Sequence, residues 1–172
     1  MSNIIIIGLK SAGKTTIGKI LAKKLKKKFF DTDKLIEKLY LKNTHIKKTF
    51  QKIYLDHGKT YFRDLEKKSI LALKEQKDSI ISIGGSTLID RSIISFLSKM
   101  GKFIYLEISY QTLIERNLLI RPVFLDPKKP LSYLQSYYNK RVKIFDTLEK
   151  LLIKADKLTN KEILKEIENV LQ

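Results

Sequence analysis

Four consecutive isoleucines that run straight into a glycine-bounded loop constrain the fold of this chain more than any other feature. Ile4–Ile7 form a short aliphatic run of the kind that is buried on both faces of a parallel sheet. The next eight residues, Gly8-Leu9-Lys10-Ser11-Ala12-Gly13-Lys14-Thr15, fit the phosphate-binding pattern G-x-x-x-x-G-K-[ST]. A helix-forming segment follows from Thr16 to Ala22. Strand, loop and helix together predict a P-loop that binds a nucleoside triphosphate.

Each part of the loop has a chemical reason. Glycine allows backbone angles that let successive N–H groups curl around a phosphate, and the helix that follows favours an anion at its N-terminus. Lys14 is expected to reach the β- and γ-phosphates, and Thr15 to offer its hydroxyl to Mg²⁺. The expected nucleotide-binding residues in the loop are Gly8, Ser11, Ala12, Gly13, Lys14, Thr15 and Thr16. The alternative is an ordinary glycine-bearing turn between a strand and a helix.

The rest of the chain alternates short aliphatic runs with helical patterns. Strands are predicted near 4–7, 28–31, 79–83, 103–107 and 151–155, and helices near 14–27, within 34–76, and near 91–99, 111–117, 131–148 and 161–171. This order predicts a three-layer α/β/α fold with a five-stranded parallel sheet. At 172 residues without an evident linker, the chain is expected to form a single domain.

A second candidate site follows the predicted second strand. Asp31 and Asp33 flank Thr32, directly after the strand, and so are placed at the carboxyl edge of the sheet where α/β proteins bind ligands. One carboxylate can hold Mg²⁺ through water, and the other can accept a proton from a substrate hydroxyl. Asp and Thr also favour helix N-caps, so a purely structural role stays open.

Composition limits the other functions. The net charge is +17, but only five of the 35 basic residues are arginine, and the lysines lie at helical spacing typical of a solvated face. We therefore expect no specific nucleic-acid binding, and we expect Tyr133, Tyr137 and Tyr138 to pack rather than to stack on bases. No run approaches the roughly 18 apolar residues of a membrane span. With no cysteine and no evident leader after Met1, a cytoplasmic monomer is expected.

With these residues in place, the sequence resembles the shikimate kinases, which are small P-loop kinases. The resemblance rests on an ordered set of motifs from about residue 4 to 145: Gly8–Thr15, Phe30–Asp33 with Ile36-Glu37, Gly58-x-x-x-Phe62-Arg63-x-x-Glu66, Ser82-x-Gly84-Gly85, Arg121-Pro122 and Arg141. In a chain so rich in lysine, Arg63, Arg121 and Arg141 stand at the family's arginine positions. Arginine offers a planar fork to carboxylate or phosphate. Arg116 lies near a fourth such position, and four structural arginines paired with nearby acids are the alternative.

The resemblance implies a role for each of these residues. It implies ATP and shikimate as ligands, Mg²⁺ held by Thr15 and Asp31, and a helical substrate-binding region at about 34–76. Asp33 is implied to accept the proton of the 3-hydroxyl, with Lys14 and Arg121 as its catalytic partners. The implied shikimate contacts are Asp33, Arg63, Gly84, Gly85 and Arg141. Arg121 is implied to close from a lid at about 117–130, and Arg116 is expected near the nucleotide.

This chain departs from the family pattern at a few positions. Ser11 and Ser86 stand where the family has glycine, Lys59 replaces a glutamate, and the stretch from Asp33 to Arg63 is longer than usual. Two further interpretations therefore stay open. One is a P-loop kinase for another small hydroxylated acceptor, and the other is an inactive, kinase-like nucleotide-binding protein.

Overall fold

A computed structural model describes residues 2–118 and 130–171. The elements, in chain order, are β1 Asn3–Ile7, α1 Lys14–Lys24, β2 Lys28–Asp31, α2 Thr32–Thr44, α3 Phe50–Leu71, β3 Ser79–Ser82, a 3-10 turn Thr87–Ile89, α4 Arg91–Met100, β4 Gly101–Glu107, α5 Tyr110–Leu118, α6 Pro130–Asp146, β5 Lys150–Lys154 and α7 Asn160–Leu171. The predicted order of strands and helices is confirmed.

The five strands form one sheet in the order β2-β3-β1-β4-β5, and every neighbouring pair is parallel. The isoleucine run is therefore the central strand, and Ile5, Ile6 and Ile7 are fully buried. The connection through α1 runs from β1 to β2, toward one edge of the sheet, and the connection through α4 runs from β3 across β1 to β4, in the opposite direction. Because such crossovers are right-handed, these helices cover opposite faces of the sheet. The predicted α/β class and parallel five-stranded sheet are confirmed.

One predicted boundary was wrong. The first helix was expected to reach Lys27, but α1 ends at Lys24. Lys26 takes a left-handed conformation with φ 54°, its N–H bonds to the Lys23 carbonyl, and the Lys27 N–H bonds to the Ala22 carbonyl. This is the Schellman arrangement, which usually places glycine where Lys26 stands. Without that glycine, the sequence offered no stop signal before the next strand.

The helical region between β2 and β3 has a small core of its own. Ile36, Tyr40, Ile53, Phe62 and Leu65 form a buried cluster apart from the main one around the sheet. Gly58, at φ 77° and ψ 178°, breaks the helical geometry within α3. The region therefore has a rigid base next to the carboxyl edge of the sheet.

No helix in the described part of the chain is long and apolar enough to cross a membrane.

Candidate active site

The carboxyl ends of three adjacent strands meet at one edge of the sheet. Ile6 and Asp31 are both in register with Ser82, so the P-loop after β1, the start of α2 after β2 and the glycines after β3 converge there. A cavity of about 630 Å³ opens at this edge. Its lining includes six basic side chains (Lys10, Lys14, Lys59, Arg63, Lys140 and Arg141) and three carboxylates (Asp31, Asp33 and Glu66). The excess of positive charge suits anionic ligands.

The P-loop has the tight backbone that the sequence predicted. Gly8 has φ 150°, and a Cβ atom there would lie 2.6 Å from the Leu106 carbonyl oxygen of the neighbouring strand β4, so no larger residue fits. Gly13, at φ 89°, caps the N-terminus of α1. Ser11 has φ 65°, a left-handed conformation that favours glycine. The Arg116 Nη1 donates to the Ser11 carbonyl oxygen at 2.9 Å and so braces the loop from outside.

Lys14 lies with its ammonium group under this loop, where it donates to the Leu9 carbonyl oxygen at 2.8 Å. Loss of hydration there lowers the pKa of Lys14 to about 8, although the nearby carboxylates Asp33 and Asp31 oppose the shift. An ammonium group held by one neutral carbonyl gains much from a negatively charged partner. The environment therefore favours the arrival of a phosphate.

The two carboxylates that follow β2, Asp31 and Asp33, lie in different environments. Asp31 caps α2 by accepting the Asp33 N–H at 3.0 Å, and its other oxygen accepts the Thr15 hydroxyl at 2.6 Å. Asp31 is therefore the helix cap, and it also faces the P-loop, whereas its role toward Mg²⁺ stays a prediction. Loss of hydration, with repulsion from Asp31, raises the pKa of Asp33 to about 6. Asp33 is thus a better proton acceptor than an aspartate of ordinary pKa.

Two predicted arginines line the far part of the cavity. Arg63 pairs with Glu66, a buried carboxylate that also accepts the Thr87 hydroxyl at 2.6 Å. Arg141 donates from Nη2 to the Ser86 hydroxyl at 3.2 Å. Its Nε is buried and has no hydrogen-bond partner among the described residues. The Arg141 side chain also lines the cavity, so its positive charge is available to an anionic ligand there.

The glycines after β3 complete the edge. The Gly84 N–H donates to the Thr32 hydroxyl at 2.9 Å, which ties β3 to the start of α2. A Cβ atom on Gly84 would lie 3.1 Å from the Asp33 Oδ1, and one on Gly85 would lie 3.2 Å from the Lys10 backbone nitrogen. These glycines let the three loops approach closely.

Most predicted site residues therefore gather at one edge. Lys14, Thr15, Asp31, Asp33, Arg63, Gly84, Gly85 and Arg141 line the one cavity, whereas Arg116 contacts the P-loop from outside. Arg121 lies outside the described residues, so its predicted place is untested. Tyr137 was missed: it packs against the main core as expected, but its hydroxyl also accepts the Lys10 backbone N–H at 3.4 Å. Only its position four residues before Arg141, one turn of a helix away, could have signalled this.

Comparison with known proteins gives one consistent result. The family model for shikimate kinase matches residues 10–172. A shikimate kinase of Sulfurihydrogenibium sp. (strain YO3AOP1) is 35% identical over 169 residues, which cover 97% of this chain and 96% of that protein. A shikimate kinase of Alkaliphilus oremlandii (strain OhILAs) is 31% identical over 170 residues, 97% of each chain.

Solved structures share the fold. A shikimate kinase from Acinetobacter baumannii in complex with shikimate superimposes with a TM-score of 0.86 at 23% identity, and 99% of this chain and 93% of that chain are covered. A shikimate kinase from Aquifex aeolicus gives a TM-score of 0.79 at 25% identity, with 98% and 95% covered.

Proposed function

Because this chain belongs to the shikimate kinase family, we propose that it transfers the γ-phosphoryl group of ATP to the 3-hydroxyl of shikimate. One observation carries the proposal for the site. A single cavity joins the P-loop lysine, the carboxylate of raised pKa and the two arginines that can hold an anion, Lys14, Asp33, Arg63 and Arg141. The groups proposed to hold the donor phosphate, to accept the proton and to anchor the acceptor thus line one cavity.

The donor half is proposed to hold the phosphates of ATP. The N–H groups of residues 13–16 stand at the N-terminus of α1, where an anion is stabilised. The Lys14 ammonium would leave the Leu9 carbonyl and bind the β- and γ-phosphate oxygens, a stronger, charge-assisted contact. Arg116, which holds the Ser11 carbonyl oxygen, is proposed to keep the loop in shape beside the nucleotide.

Thr15 and Asp31 fit a magnesium ion. Mg²⁺ is commonly held by one or two protein oxygens together with phosphate oxygens and water. The Thr15 hydroxyl and an Asp31 carboxylate oxygen lie 2.6 Å apart at the mouth of the P-loop, which suits that donor set. When bound, the ion neutralises charge on the β- and γ-phosphates.

The acceptor half is proposed to hold shikimate by its carboxylate. Arg63 and Arg141 both line the cavity and supply the positive charge for it. One Glu66 carboxylate oxygen pairs with Arg63, and the other accepts the Thr87 hydroxyl. Glu66 is thereby held in place and orients Arg63. Gly84 and Gly85 line the cavity beside Asp33, where the ring of the acceptor is proposed to lie.

The chemical step follows from the placement of Asp33. With a pKa of about 6, its carboxylate is about nine-tenths ionised at pH 7 and is a better proton acceptor than an ordinary aspartate. It takes the proton of the 3-hydroxyl as that oxygen bonds to the γ-phosphorus. The bond from phosphorus to the β,γ-bridging oxygen breaks, and ADP leaves with that oxygen. Lys14 balances the charge on the transferred group.

The remaining parts of the proposal rest on the sequence alone. Arg121 is proposed to close over the γ-phosphate from a lid at about 117–130, so that water is excluded during transfer. The single domain of residues 1–172, the cytoplasmic location and the monomeric state also remain predictions. Light scattering of the purified chain tests the last of these directly.

The proposed activity is tested by ADP release from ATP and Mg²⁺ with shikimate, with another hydroxylated acid such as gluconate, or with neither. Lys14→Ala and Asp33→Ala are the matched inactive controls. Release that depends on shikimate and is lost in both variants supports the proposal. Release with gluconate alone, or with no acceptor, contradicts it.

A further inference from the structure

Tyr137, on α6, contacts parts of the site that come from distant stretches of the chain. Its hydroxyl accepts the Lys10 backbone N–H of the P-loop at 3.4 Å. Its ring lies 3.9 Å from the guanidinium carbon of Arg141. A Cβ atom on Gly85 would lie 2.7 Å from the Tyr137 hydroxyl oxygen, so the loop after β3 also passes close to this oxygen. Three segments of the site therefore meet at one side chain.

We propose that Tyr137 is a positioning residue that sets the distance between the phosphate loop and Arg141. The inference rests on the proposed function, in which the loop holds the phosphoryl donor and Arg141 holds the acceptor carboxylate. Tyr137 then fixes how the two substrates stand relative to each other.

The restraint on Arg141 comes from two sides. The Tyr137 ring supports one part of the guanidinium by a cation–π contact, and the Ser86 hydroxyl accepts from Nη2 at 3.2 Å. An arginine side chain has several rotatable bonds and can place its guanidinium group in many positions. The contacts with Tyr137 and Ser86 favour one of these positions.

Of the Tyr137 side chain, the hydroxyl and not the ring contacts the phosphate loop. Packing against the core and stacking on Arg141 need only the ring, so phenylalanine would do both. The hydroxyl is the atom that reaches Lys10. In-line phosphoryl transfer depends on alignment of the reacting atoms, and a misplacement of about 1 Å can lower the rate about a hundredfold. A lost contact to the loop should therefore affect turnover more than binding.

The experiment compares Tyr137→Phe with Tyr138→Phe in steady-state kinetics with ATP, Mg²⁺ and shikimate. Tyr138 is the matched control, because it is on the same helix and packs against Tyr110 with ring centroids 5.5 Å apart. For Tyr137→Phe we expect kcat to fall about threefold to tenfold, the range of one neutral hydrogen bond, with both KM values within about twofold of the unchanged chain. Tyr138→Phe should change neither parameter.

A second measurement reports the contact itself. Amide hydrogen exchange at Lys10 should be faster in Tyr137→Phe than in the unchanged chain or in Tyr138→Phe, and the melting temperatures of the two variants should agree. An unchanged kcat in Tyr137→Phe, an equal loss in both variants, or a rise in the KM of shikimate alone overturns the inference. An unchanged chain that does not turn over shikimate overturns the proposed function and this inference with it. Normal turnover with an insensitive Tyr137→Phe overturns this inference alone.

Discussion

Replacing Asp33 by asparagine should make the free protein more stable at neutral pH while it removes the activity. The Asp33 carboxylate sits in a poorly hydrated place beside Asp31, and its pKa is raised from 3.8 to about 6. Its ionisation therefore opposes folding. An asparagine of nearly the same shape cannot ionise, so it avoids that opposition.

The magnitude follows from the size of the shift. A rise of about 2 pKa units at 1.36 kcal/mol per unit corresponds to about 3 kcal/mol at a pH well above 6. The sign follows from the raised value: the folded state holds the Asp33 proton more tightly than the unfolded state does. The stability that this proton supplies is fully present below the unfolded pKa of 3.8 and is lost as the pH rises through about 6. The advantage of Asp33→Asn should thus grow from about 1.5 kcal/mol at pH 5 to about 3 kcal/mol at pH 8.

Urea unfolding at pH 5 and pH 8 measures this difference. The chain has no tryptophan, so far-ultraviolet circular dichroism is the suitable signal. Asp64→Asn is the control, because Asp64 is exposed and, within residues 2–118 and 130–171, forms an ion pair only with Lys68 across one turn of α3, at 2.7 Å. Its effect should stay within about 0.5 kcal/mol at both pH values. In the same preparations, kcat with shikimate should fall by about 10²–10⁴ in Asp33→Asn alone.

The reasoning fails if Asp33→Asn destabilises the protein at pH 8, or if its effect is the same at both pH values. Either result would mean that the Asp33 carboxylate is better solvated or better paired than its surroundings indicate. Loss of activity without a gain in stability would leave Asp33 as a proton acceptor of ordinary pKa.

Three further predictions concern the same cavity. The kcat/KM for shikimate should rise with pH through about 6, as Asp33 ionises, and the kcat/KM for ATP should fall above about 8, as Lys14 of the nucleotide-free chain loses its proton; flat profiles between pH 5 and 9 contradict both assignments. Lys14→Met should lower kcat by at least about a hundredfold, because the transferred group loses its cation, while circular dichroism at pH 8 shows a folded protein. Arg141→Lys should raise the KM of shikimate about tenfold or more, because lysine cannot reproduce the planar fork of arginine. The control Arg91→Lys, on the exposed start of α4, should leave this KM unchanged. Equal effects of the two variants would argue against a contact between Arg141 and the carboxylate.

The sequence predicted the P-loop because all its determinants are consecutive residues. Gly8, Gly13 and Lys14 each serve a local need: a backbone that only glycine adopts next to β4, a helix N-terminus, and a cation within reach of it. The isoleucine run of β1 likewise predicted a buried central strand, since a strand covered on both faces has no polar side to show. The family motifs then predicted which distant residues belong to the site.

The sequence could not predict contacts between residues that only folding brings together. Glu66 was quoted in a motif, but its bonds to Arg63 and Thr87 depend on how α3 and the turn after β3 approach each other. The end of α1 was misjudged because Lys26 adopts a conformation for which its side chain gives no signal.

The sequence alone therefore determined the fold class and the phosphate-binding loop, because short-range pattern and spacing specify them, and the resemblance to the family supplied the list of distant candidate residues. The tertiary structure decided how those residues affect one another. The raised pKa of Asp33 comes from loss of hydration and the nearness of Asp31, and the Tyr137 hydroxyl meets Lys10 across 127 positions of the chain. Hydration and long-range distance are properties of the packed molecule, and no local pattern of residues encodes them.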